Sequence, residues 1–356
     1  MGDFTAMKPT IVALVFLGST ILTWGTSSAS ENQVGTFYGA INSEKPEWFK
    51  ESFLEFESDV AEAAEEGKRV MLYFHQDGCP YCARLVDENF TDPQIKTYIQ
   101  QHFDGISINM WGDRDVISVA GQDFTEKTFA AALKVQYTPT LLFLDEQGKV
   151  ALRLNGYYPP EDFRAALEYV AQKLEKQLSF SEYRRQNQAQ LSGQLIDEDF
   201  YLKTRDLQSL VSGSDKPLAV YFESAKCAQC ETMHNRILTD QPTRKLVVTA
   251  SNVQLDIASD ESIVTPTGQS TTVSEWARTL DIGYTPSLVF FDNQGQEVMR
   301  IGGFLKTFHF QSVYDYVLRQ AYLDEPSFQR FIAARAEHLR EEGHDVDIWG
   351  YESFHD

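Results

Sequence analysis

The chain has 356 residues, 42% hydrophobic and 13% aromatic, with 31 Lys+Arg against 52 Asp+Glu and a formal net charge of −21. That apolar content supplies packed cores and excludes global disorder, and the length suits two globular units. So acidic a surface repels phosphate backbones and anionic headgroups, which argues against nucleic-acid and membrane-surface partners.

Residues 1–30 read as a signal peptide: Lys8 precedes the apolar run Ile11 to Trp24, and Ser27-Ser28-Ala29 supplies small residues for cleavage. The run is short for a membrane span of roughly 20 residues. The mature protein is expected to be soluble and periplasmic, or otherwise outside the cytoplasm. We divide the rest into a first domain at 31–190, a second at 191–338 and a C-terminal tail at 339–356.

Trp48 to Glu66 has helical spacing and stops at Gly67, a plausible C′ glycine. Val70 to Phe74 reads as a buried strand, Cys79 to Phe90 and Pro93 to Phe103 as helices, and Ile106 to Met110 as a second strand. A polar excursion, Trp111 to Thr125, leads to a short helix through Leu133. Leu141–Leu144 and Val150–Leu154 flank a Gln147-Gly148 turn and form a hairpin, and Glu161 to Leu174 closes the unit as an amphipathic helix.

The same order then recurs. Lys68 to Phe74 aligns with Lys216 to Phe222 at an offset of 148, and Tyr137-Thr138-Pro139-Thr140-Leu141 with Tyr284-Thr285-Pro286-Ser287-Leu288 at 147. One ancestral unit has been copied once.

All four cysteines lie in two Cys-x-x-Cys pairs, Cys79-Pro80-Tyr81-Cys82 and Cys227-Ala228-Gln229-Cys230, each expected at the start of a helix after a strand. Disulfides that close such short loops are poor staples. At i and i+3 the Cα atoms come about 5 to 6 Å apart, within bonding reach, so the pairs suit redox exchange. A zinc site using all the cysteines would have to join knuckles separated by a whole domain, so neither a metal nor a cofactor is expected.

Each repeat resembles a thioredoxin-fold domain, an α/β fold with a central mixed sheet flanked by helices. The first is similar to the SoxW-type periplasmic thioredoxins, on Gly78-Cys79-Pro80-Tyr81-Cys82, Met110-Trp111-Gly112-Asp113-Arg114 and Tyr137-Thr138-Pro139. The resemblance implies a thiol:disulfide oxidoreductase in which Cys79 attacks and Cys82 resolves, with Cys227 and Cys230 as a second centre. It implies cis-prolines at Pro139 and Pro286, with Thr138 and Thr285 offering backbone to an extended substrate.

The chain departs from plain thioredoxins at Tyr73 and Tyr221, where the family carries a buried aspartate, and at Gly78 and Lys226, where a tryptophan is usual. Its partners would then be protein disulfides or dithiols, with electrons from a membrane dithiol carrier of the CcdA or DsbD type. A dithiol oxidase or isomerase, and a peptide-binding chaperone with a non-redox second domain, are the alternatives. His75 and His234 read as ordinary polar positions, and Phe328, Phe331, Trp349, Tyr351 and Phe354 as packing. Tethering two dithiols also predicts electron exchange between them.

Overall fold

The computed structural model describes residues 1–2, 34–187, 193–225 and 227–353. The proposed signal peptide, Lys226 and Phe354 lie outside the described residues.

After a two-residue strand β1 (Phe37–Tyr38), the first unit runs α1 (Phe56–Glu65), β2 (Arg69–His75), α2 (Pro80–Arg84), α3 (Pro93–His102) and β3 (Phe103–Asn109). It continues with β4 (Asp115–Ile117), β5 (Asp123–Thr125), α4 (Glu126–Ala132), β6 (Thr140–Leu144), β7 (Val150–Asn155), α5 (Pro160–Ala171) and α6 (Phe180–Asn187). The second unit repeats this as α7 (Gln208–Val211), β8 (Leu218–Glu223), α8 (Ala228–Thr232), α9 (Gln241–Val247) and β9 (Ser251–Asp256). It closes with β10 (Ser262–Val264), β11 (Ser270–Thr272), α10 (Val273–Thr279), β12 (Ser287–Phe291), β13 (Glu297–Ile301), α11 (Thr307–Leu318), α12 (Phe328–Glu341) and β14 (Val346–Asp347).

Each unit is built on a four-stranded mixed sheet, ordered β3-β2-β6-β7 in the first and β9-β8-β12-β13 in the second. In both, the central strand pairs parallel with one neighbour and antiparallel with the other. Strands β2 and β8 are almost wholly buried because helices cover both faces, which is why they read as continuous apolar runs rather than alternating ones. Two tandem α/β units with mixed sheets are therefore present, as the repeat implied.

Two local expectations change. The first helix begins at Phe56, not Trp48: Leu54 sits at φ 61°, its carbonyl accepts from Ile117 N–H at 2.9 Å, and Glu55 bridges to β4. That pairing competes with a longer helix and leaves Phe53 94% exposed. The polar excursion contains the hairpin β4–β5, whose cross-strand pair Val116–Phe124 holds segments too short to show periodicity. Its first turn is fixed by the buried Glu126 carboxylate, which accepts from Asn109 N–H at 3.0 Å and pairs with Arg114. A Cβ on Gly112 would stand 2.0 Å from that carboxylate, so the position requires glycine.

The units interlock through the loops ahead of β6 and β12. Tyr284 of the second unit packs into the first unit's core, and Tyr137 of the first packs against the second's. Tyr137 Oη donates to Arg300 O at 2.8 Å, Tyr158 Oη donates to Gly302 O at 2.9 Å, and Tyr158 packs on Tyr284 with centroids 5.0 Å apart. Segment ends join too, where β1 pairs in parallel with β14.

Candidate active site

Both cysteine pairs occupy the junction between the central strand and the helix after it. Cys79 is the N-cap of α2, in extended conformation (φ −85°, ψ 104°), and its Sγ accepts the N–H of Cys82 at 3.1 Å. The helix runs on as a π-type turn over Leu85–Phe90, and Pro80 at its first position needs no donor there. Cys227 caps α8 in the same way (φ −90°, ψ 104°), accepting from Cys230 N–H at 3.1 Å. Each pair is joined as a disulfide, with Cα atoms 5.2 Å apart in the first and 5.1 Å in the second.

The threonine–proline loops meet these disulfides. Thr138–Pro139 and Thr285–Pro286 are both cis. The carbonyl oxygen of Thr138 lies 3.5 Å from Cys79 Sγ and that of Thr285 lies 3.4 Å from Cys227 Sγ. All eight residues singled out from the sequence thus gather into two equivalent clusters of four. Within each pair the first cysteine keeps some exposure, 4% at Cys79 and 8% at Cys227, against 0% at Cys82 and 3% at Cys230.

The surroundings of the two clusters differ. Around Cys79 opens a cleft of about 650 Å³, floored by Cys79, Pro80 and Thr138 and walled partly by the second unit. Tyr81, between the cysteines, is held by that unit: its Oη accepts Lys306 N–H at 2.8 Å, and its ring meets His309 and Trp349 edge-on. Burial pushes the Tyr81 phenol far up from its ordinary value. Neither Cys227 nor Cys230 lines this cleft, so it offers no direct route between the disulfides.

In the second unit an ionic ladder runs from the end of β8 to the helix after Cys230, buried at Glu223 and His234. Glu223 closes β8 and accepts from His234 Nε2 at 3.0 Å, while His234 Nδ1 meets Glu198 at 3.0 Å and Arg244 binds Glu198 at 3.0 Å. Burial opposes charge on His234, but hydrogen bonds and charges from Glu223, then Glu198, outweigh it and raise the ring's pKa. Reading His234 as an ordinary polar position was mistaken: it is buried between two carboxylates. His75, at the equivalent end of β2, stacks on Tyr73, and burial lowers its pKa against the opposing charges of Asp77 and Glu126.

Sequence reasoning also passed over Glu223, although a lone carboxylate ending the apolar run Leu218–Phe222 is a legible signal, since a buried charge needs a partner. Tyr221, where the family's aspartate would stand, joins its hydroxyl to that of Tyr314, which donates to Asn252 at 2.8 Å. The aromatics of the C-terminal segment do pack: Phe328 on Tyr137, Trp349 on Tyr81. No group of three or more potential metal ligands gathers among the described residues, and no helix among them is long and apolar enough to cross a membrane.

Known proteins resemble parts of this chain. A thiol:disulfide interchange protein DsbD from Photorhabdus laumondii is 26% identical over 151 residues, 41% of this chain, which spans only 22% of that relative's length. Among solved structures, a thioredoxin-fold protein from Helicobacter pylori is 24% identical over 34% of this chain and 86% of its own, with a TM-score of 0.29. The DsbD C-terminal domain of Neisseria meningitidis is 16% identical over 33% and 92%, with a TM-score of 0.24. The family model for the thioredoxin-like domain matches twice, at residues 56–171 and 206–318, together well over half the chain. With both copies carrying a capped Cys-x-x-Cys opposite a cis-proline, the chain belongs to the thioredoxin-like domain family as a tandem member.

Proposed function

We propose that this chain is a thiol:disulfide oxidoreductase that works outside the cytoplasm in the reducing direction, on disulfides of proteins or sulfur carriers. The observation that carries the reading is the duplicated geometry itself: one sulfur at a helix N-cap, a second one turn in, and a cis X–Pro carbonyl against the first. Backbone N–H groups and the helix dipole favour a thiolate at the cap, so reduced Cys79 is the nucleophile.

In that form the Cys79 thiolate attacks a substrate disulfide, a Cys79–substrate bond forms, and the first substrate sulfur leaves as thiolate. The Cys82 thiolate then attacks Cys79 Sγ, forming the internal disulfide and releasing the second substrate thiolate. Two electrons have passed to the substrate, and solvent supplies its protons. Cys227 and Cys230 act likewise as a second centre. Thr138 with Pro139, and Thr285 with Pro286, position extended substrate against each sulfur.

Regeneration needs a dithiol donor. The likeness of part of the chain to a thiol:disulfide interchange protein DsbD supports a membrane dithiol carrier of the CcdA or DsbD type. Residues 1–30 would direct export, and their removal would leave domains at 31–190 and 191–338 and a tail at 339–356.

Insulin disulfide reduction in the Cys227→Ser, Cys230→Ser background tests the first centre. Cys79→Ser should abolish turnover, and equal turnover would refute the assignment. Direction is tested by equilibrating each pair with glutathione: a potential as oxidising as that of the strong oxidants, about −120 mV, would reverse it.

A further inference from the structure

The second unit does not leave the first disulfide open to solvent on all sides. Opposite Cys79, the cleft wall is made by α11 and α12, through Phe308, His309, Ile332, Ala333 and Ala336. At about 650 Å³ the space suits a small ligand or a few residues of chain, and it is too confined for a folded domain's convex face to reach a cysteine only 4% exposed.

Two polar groups interrupt the apolar wall. His309 Nδ1 is buried and has no hydrogen-bond partner among the described residues. A backbone bond to Ile348 favours charge on the ring. Burial nevertheless drives the His309 pKa down to about 4, so the ring is neutral near pH 7. At the mouth, the exposed Arg330 lies 5.7 Å over the Trp111 ring and forms no ion pair among the described residues.

We propose that this cleft is the first centre's substrate site and takes an extended, cysteine-bearing peptide segment, whose residues beside the cysteine are read by the second unit through His309, Ile332 and Arg330. An apolar side chain next to the cysteine covers Ile332 and Phe308. The neutral His309 ring lines the same wall. A carboxylate on the segment pairs with Arg330, in keeping with a cation left unneutralised in so acidic a chain. The inference rests on the reading of Cys79 as nucleophile, and it adds that the duplicated unit is a specificity wall for its neighbour.

The test uses the full chain with Cys82→Ser, Cys227→Ser and Cys230→Ser, so that Cys79 is the only thiol. The probe is the peptide acetyl-Gly-Phe-Cys-Glu-Gly-amide as its mixed disulfide with 2-nitro-5-thiobenzoate, and the reference is the cysteamine mixed disulfide. The Cys79 thiolate attacks the peptide sulfur, the probe's S–S bond breaks, thiobenzoate leaves with the electron pair and is read by absorbance, and a Cys79–peptide disulfide remains.

Ala333→Trp should lower the peptide-to-cysteamine rate ratio by about tenfold, the scale of an occluded pocket. Arg330→Gln should slow the Glu-bearing peptide but not its Gln counterpart. Ala333 and Arg330 are exposed on α12, so their replacement leaves the core intact. An unchanged ratio in Ala333→Trp overturns the proposal. So does an equal loss with the glutathione mixed disulfide, which would make the occupant a small thiol. No thiobenzoate release from either probe by the parent refutes the reading of Cys79 instead.

Discussion

The two units are copies with the same backbone device, yet the ion pairs made by the central strand's own residues sit at its opposite ends. In the first, Arg69 opens β2, is 4% exposed, and holds Glu146 at 3.0 Å and Glu175 at 2.9 Å, far along the strand from the disulfide. In the second, Pro217 stands where Arg69 does, and the ion pairs move to the other end, where Glu223 and His234 flank Cys227–Cys230. Val86 occupies the His234 position in the first unit and packs into its core. Duplication thus kept the sulfur geometry and freed what surrounds it: one centre has an apolar cleft walled by its twin, the other a charged interior.

If that contrast is correct, its largest consequence is on stability. His234→Leu strands the Glu223 carboxylate, itself 1% exposed, and should cost about 3–5 kcal/mol in urea unfolding. The double change Glu223→His with His234→Val, which copies the first unit, should recover most of the loss. Failure to recover it would mean that packing, not charge, holds the site.

Arg69→Leu should cost less, about 1–3 kcal/mol, because the side chains of Glu146 and Glu175 remain 20% and 14% exposed and water can reach them. It should leave the first centre's potential where it was. A shifted potential would show that the far end of β2 is not electrostatically remote after all.

Smaller effects appear with pH, and they have opposite signs at two histidines. Because His234 binds its proton more tightly folded than unfolded, its stabilisation is full below the unfolded value near 6.5 and is lost as pH rises through the raised folded value. His309 is held neutral by burial, with a folded value of about 4, so its contribution is full above about 6.5 and is lost as pH falls toward 4. Melting curves from pH 4 to 9 should therefore lose their alkaline slope in His234→Leu and part of their acid slope in His309→Phe. The reverse pattern would exchange the two roles.

Much of this was readable beforehand because it is local. The cysteine spacing, the Tyr-Thr-Pro before each buried strand, the turn at Gln147-Gly148 and Gly67 at the end of α1, with φ 72°, need only near neighbours. What escaped depends on residues distant in sequence. The true start of α1 is decided by a bridge from Glu55 to Ile117, and His234 acquires its meaning from Glu198, thirty-six positions earlier. The wall over Cys79 comes from α12, about 250 residues on, and apolar periodicity records that a helix face is buried without recording against what.

The central claim is that the capping cysteine of each pair is the exchanging sulfur and its partner the resolving one. Timed alkylation of the fully reduced chain with iodoacetamide, read by peptide mass spectrometry, tests it most directly. Cys79 and Cys227 should be labelled well before Cys82 and Cys230, and at a pH below that of an ordinary thiol near 8.5. Labelling of Cys82 or Cys230 as early as the cap cysteine would contradict the account.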